Sequence, residues 1–130
     1  MLATFRDYLK SINLADHYYI GKIDNSKLKT IGLYGQPGFS RIEAIGRCSS
    51  YDVAGIRILV HWNKNAKESE EAARTIFESI RYITDADITG ASGAIHVNYL
   101  DLLEPEPNFI GTDDNGVYEY HISARLYYRR

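Results

Sequence analysis

Val117-Tyr118-Glu119-Tyr120-His121-Ile122-Ser123-Ala124-Arg125-Leu126-Tyr127-Tyr128 alternates without a break near the end of the sequence. Tyr118, Tyr120, Ile122, Ala124, Leu126 and Tyr128 share one row. Val117, Glu119, His121, Ser123, Arg125 and Tyr127 share the other. Side chains of an extended chain point to opposite faces in turn, so this pattern predicts a long strand with one apolar face. A strand of this kind needs a sheet beside it and a layer over its apolar row.

Working outward, the segment Thr112-Asp113-Asp114-Asn115-Gly116 before it is a polar loop closing on Asn-Gly, which predicts a hairpin. Glu104-Pro105-Glu106-Pro107 reads as a rigid, extended connector into Phe109 and Ile110. Ala94–Leu100 alternates, with Ile95, Val97 and Tyr99 placed on one side. Gly55–Trp62 is another strand, with Ile56, Ile58, Val60 and Trp62 on one row. Between these two lies the best helix. Asn65 caps it, Glu68 completes a box-like start, and Ala73, Ile76, Ile80 and Ile83 form its stripe, with Phe77 alongside. Glu70, Arg74 and Glu78 recur at i, i+4 on another side.

Toward the N-terminus, Leu2, Phe5, Leu9 and Ile12 predict a short amphipathic helix ending near Asn13. His17–Ile23 and Lys29–Tyr34 read as strands. Gly35-Gln36-Pro37-Gly38 reads as a turn, and Arg41–Cys48 as a further strand. The order predicts an α+β fold: a mostly antiparallel sheet of about four to six strands, with two helices packed on one face.

With 130 residues, 45% of them hydrophobic and 25% charged, the chain reads as one domain over 1–130 with enough apolar surface for a core. The net charge of −2 argues against general nucleic-acid affinity. One cysteine, Cys48, allows no internal disulfide and points to a reducing compartment. No signal-peptide pattern and no membrane-length apolar run is present, so a cytoplasmic, membrane-free protein is expected. Eleven tyrosines suit half-buried sheet faces and interfaces.

Chemistry is hard to find. His61, His96 and His121 each fall opposite the apolar row of their strand, but spacing alone does not gather them, and scattered solvent-face histidines are the expectation. Cys48 lacks a nucleophile's signature, and Ser49 and Ser50 lack a hydrolase elbow. Asp113, Asp114 and Asn115 fail the spacing of a calcium loop, and no phosphate-binding glycine loop occurs. Glu104 and Glu106 flank prolines rather than a pocket. No catalytic residue, cofactor or metal site is expected.

The run from Asp101 to Tyr128, with its proline-containing connector, Gly-Thr-Asp-Asp-Asn-Gly loop at 111–116 and tyrosine-rich final strand, resembles small minor capsid proteins of tailed bacteriophages. These are related to the tail-terminator and tail-completion proteins of the head–tail junction. The strand Gly55–Trp62, the helix after it and the N-terminal helix fit the same order. The resemblance implies a tail-terminator-like, non-enzymatic virion protein, made in the host cytoplasm. It would assemble into a hexameric ring that contacts tail-tube and head-connector proteins while DNA passes through without sequence-specific binding. Arg57, Phe109, Ile110, Arg125 and Tyr127 are the expected interface residues. Two alternatives remain: a small binding module or metal-dependent enzyme using the three sheet histidines, or a single-strand nucleic-acid binder using Arg57 and Arg125 beside exposed tyrosines.

Overall fold

A computed structural model describes residues 2–24, 26–36 and 51–129. The expected strand Arg41–Cys48 and the turn at Pro37-Gly38 lie outside them.

The final strand anchors everything. β7 (Tyr118–Arg129) pairs antiparallel with β3 (Tyr51–His61) along one edge, from Asp52 opposite Tyr128 to His61 opposite Glu119. Its other edge is shared by two strands. β5 (Gly93–Leu102) takes the C-terminal half, with Leu102 opposite Ala124, and β6 (Asn108–Thr112) takes the N-terminal half, with Asn108 opposite His121. β5 and β6 therefore run in the same direction, one after the other. The Glu104–Pro107 segment is not an extended connector but a bent excursion between them, where the prolines cannot donate to the ladder. Beyond β3 lies β2 (Thr30–Gln36), antiparallel to it, and then β1 (His17–Ile20), parallel to β2. Beyond β5 lies β4 (Thr84–Gly90). The seven strands follow the order β1-β2-β3-β7-β5-β4, with β6 on β7.

The sheet thus has two tiers. Toward one end, residues 17–20, 30–33, 58–61, 118–121 and 108–112 form a row of five strands bounded by β1 and β6. Toward the other end, β3 and β7 continue and are flanked by β5 and β4.

Both helices cover the same face. α2 (Ala66–Ile80) lies on β3 and β7, and α1 (Leu2–Ser11) on β4, β1, β2 and β5. Phe5 and Leu9 of α1 and Ala73, Ile76, Phe77 and Ile80 of α2 share one core with Ile31, Leu33, Ile56, Ile58, Val60, Val97, Leu100, Ile122, Ala124 and Leu126. This is the apolar row read from the sequence. The Asn65 side chain accepts the Glu68 N–H at 3.2 Å, as a helix cap should. The Glu68 carboxylate does not return to the Asn65 backbone; it accepts from the Asn63 amide at 2.8 Å.

Three further local readings change. His17–Ile23 stops at Ile20, because Gly21 takes φ +77 and turns the chain away. Ile95, Val97 and Tyr99 do not share a side. A bulge between Val97 and Tyr99 shifts the phase by one, which sends Leu100 into the core and leaves Tyr99 50% exposed opposite Tyr127. The hairpin does form, but not through a two-residue Asn-Gly turn. Gly116 donates to the Asp113 carbonyl at 3.0 Å and holds φ +80, so the turn is Asp113–Gly116 with glycine in the left-handed position.

Candidate assembly surface

The face of the sheet away from the helices carries whatever the fold itself does not use. Alternation delivers to it Tyr34 and Gln36 from β2, Arg57, Leu59 and His61 from β3, and Glu119, His121, Ser123, Arg125 and Tyr127 from β7. Part of this face is strapped. Ile23 lies so close over β2 that a side chain at Gly32 would meet its Cγ2 at 2.5 Å, which explains a glycine in mid-strand.

Next to the strap is an open cavity of about 650 Å³, lined by Tyr34, Gly35, Gln36, Arg57, Leu59, Ile110 and His121. The Asn108 amide nitrogen lies 2.7 Å from His121 Nε2, so the neutral ring carries its proton on Nδ1. His121 Nδ1 and Gln36 Oε1 are buried and find no partner among the described residues. Burial, and then the Arg57 charge, push the His121 pKa down, with Glu104 opposing. Burial, together with the Glu119 carboxylate, pushes the Tyr34 hydroxyl up, against a backbone hydrogen bond at Ile23.

Above the cavity, His61 is wholly buried rather than solvent-facing. Its Nδ1 donates to Glu119 at 2.9 Å, and its Nε2 lies 3.8 Å from Asp113 at the hairpin tip. Alternation assigned His61 to the polar row correctly; what it missed was that the hairpin folds back over that row. Asp113 also accepts the backbone N–H groups of Asn115 and Val117, both at 2.9 Å, and so organises the turn as well as facing the histidine.

The second tier carries tyrosines. Tyr127 lies between Tyr51 and Tyr99, with ring centroids 6.1 and 6.0 Å away. Arg125, one row along, pairs with Asp101 at 3.5 Å. Tyr127 is only half-buried in this group, and Tyr99 is its exposed member.

The expected interface residues therefore divide. Arg57 and Ile110 line the cavity, and Arg125 and Tyr127 occupy the second tier of the same face. Phe109 points to the other side of β6, with its ring against Tyr118 and Tyr120. The histidines stay apart: His61 and His121 are two rows distant on neighbouring strands, while His96 sits on β5 between Asp85 and Asp87 at 2.8 and 2.7 Å. Among the described residues no group of three His, Cys, Asp or Glu side chains is placed to hold a metal. No helix among them is long and apolar enough to cross a membrane.

A family model described as bacteriophage tail terminator protein matches residues 8–130. The chain belongs to the bacteriophage tail terminator family. No curated protein matches it. Tail terminators are structural rather than catalytic proteins, which assigns this chain a structural role in a phage tail and a place in the virion. The match spans the cavity, the strap and both sheet edges alike, whereas the motif-level resemblance covered only the last third. An open sheet face built from tyrosine, arginine and a few aliphatic side chains suits such a role, since assembly surfaces are enriched in aromatics and arginine.

Proposed function

We propose that this tail terminator assembles into a ring of six copies at the head–tail junction, where it completes the tail tube and meets the head connector. The observation that carries this reading is the sheet face that neither described helix covers. It keeps Tyr51, Tyr99, Tyr127, Leu59 and Ile110 at partial or full exposure although both helices are committed to the opposite face. Such aromatic and aliphatic surface is what a subunit contact or a partner protein would remove from water. A closed ring needs two different, complementary surfaces on each copy, and this chain offers several distinct ones. The small net charge lets copies approach closely, and DNA would pass the opening without its sequence being read.

Tube growth tests the reading. Tail-tube protein is polymerised with and without the purified chain and imaged by negative stain. Capped tubes of limited length, ending in a ring with a central opening, are expected. Tubes that grow unchanged and carry nothing at either end would contradict it.

A further inference from the structure

The uncovered face is one route to assembly, but the edges of the sheet offer another. The five-strand tier ends on β1 at one side and β6 at the other, and both occupy the same level along the strands. Neither outer edge is paired with another described strand. The two are matched in length, four residues against five. Ile20 on β1 is 38% exposed, and Phe109 and Ile110 on β6 are 51% and 49% exposed. Six large hydrophobic residues stand exposed among the described residues, and half of them fall on these two short strands. An unpaired strand edge with apolar side chains is a template for another strand.

Direction can be read from the ladder. β1 runs parallel to β2, β2 antiparallel to β3, β3 antiparallel to β7, and β7 antiparallel to β6. β1 and β6 therefore point in opposite directions within one subunit. If copies are related by rotation about an axis along the strands, β6 of one meets β1 of the next antiparallel, the stronger pairing.

Charge agrees with this. From Leu103 to Ala124 the chain carries no Lys or Arg, while Glu104, Glu106, Asp113 and Asp114 flank β6. The chain leaving β1 carries Lys22, Lys27 and Lys29, all exposed, against Asp24. An acidic edge would therefore approach a basic one, which favours this pairing over β6 with β6 or β1 with β1.

We propose that the ring closes through its sheet: the β6 edge of each copy adds antiparallel to the β1 edge of its neighbour, which brings Glu104 and Glu106 to the Lys22 end of β1 and Asp113 and Asp114 to the end where Lys27 and Lys29 lie. This rests on the ring reading and adds the contact that makes it. The interface is heterologous, so it propagates around a ring instead of stopping at a dimer.

Cysteine cross-linking tests it. The lone native thiol is first removed by Cys48→Ser. Ile20→Cys is then combined with Phe109→Cys or Ile110→Cys, so that either side of β6 is sampled. Within one chain these sites are separated by four strand spacings, about 19 Å, whereas a disulfide needs Cα atoms within about 7 Å. Every disulfide formed is therefore between copies. On oxidation the double-cysteine chain should give a ladder of multimers, while each single-cysteine chain stays monomeric on a non-reducing gel. In parallel, Lys22→Glu should reduce the assembled fraction severalfold at low salt, and adding Glu106→Lys should restore it. A multimeric wild type that gives no ladder, or whose charge swap is not rescued, overturns the edge contact and leaves the ring reading intact. A single-cysteine chain that dimerises as efficiently as the double also overturns it. A wild type that stays monomeric even with tail-tube protein, and gives no ladder, removes both.

Discussion

The two faces of β7 follow the same alternation and serve opposite ends. Tyr120, Ile122, Ala124, Leu126 and Tyr128 lie beneath the helices, and the three aliphatic residues are fully or almost fully buried. Glu119, His121, Ser123, Arg125 and Tyr127 face outward, each polar or amphipathic, several tied to a neighbour by one polar contact. One row specifies the fold. The other is left available to the assembly proposed above. The difference teaches where mutations should cost stability and where they should cost assembly instead.

The largest effect should come from the covered row. Ile122→Ala empties space between β3, β7 and α2 and should cost about 2–5 kcal/mol in urea unfolding. A loss under about 1 kcal/mol would mean that this row is not the core. The strapped corner of the open face is the exception that sharpens the comparison. Gly32→Ala puts a methyl 2.5 Å from Ile23 and 3.1 Å from the Tyr34 ring, and should cost about 1–3 kcal/mol although it lies on the helix-free side. Smaller still is the hairpin tip. Asp113→Ala removes the acceptor for two backbone N–H groups and should cost about 1–2 kcal/mol, read as a lower urea midpoint with an unchanged slope.

On the open cavity wall, Arg57→Ala should change stability by no more than about 0.5 kcal/mol yet reduce capping of tail tubes. A variant that unfolds readily would break the division between the faces. Smallest at neutral pH is His121→Gln. The folded pKa of His121 lies below its ordinary 6.5. The unfolded chain therefore takes up the proton first as pH falls, and wild-type stability should be flat above about pH 7 and decline below about 6.5. The glutamine variant should match wild type at pH 8 and lose part of that decline, as followed by thermal unfolding across pH.

Much of this was legible in the sequence because it depends on period and on caps. Strict alternation located β7, β5 and β3, and Asn65 marked the start of α2. What alternation alone could not give was phase and folding-back. β4 was not read as a strand, because Thr84–Gly90 carries two aspartates and buries only Ile88, and Asp85 takes φ +47. Its strand character comes from β5 beside it, not from its own residues. The bulge at Val97/Tyr99 is likewise invisible locally, yet it moved one tyrosine from core to surface. His61 shows the same limit from the other side: its row was correct, and its burial came from a hairpin more than fifty residues away. The uncovered face was legible in part. Alternation put Arg57, His121, Arg125 and Tyr127 on the outward rows of their strands, whereas Tyr34, Gln36 and Tyr99 joined them only once strand order was known, and Phe109, named with Ile110 as an interface residue, lies on the other side of β6.

The most direct test of the assembly account is the mass in solution, measured by light scattering behind size exclusion at several concentrations, with and without tail-tube protein. A chain of 14.8 kDa that closes into a ring should give one discrete species at six times that mass. A species that holds the single-chain mass throughout, tail-tube protein included, would contradict it.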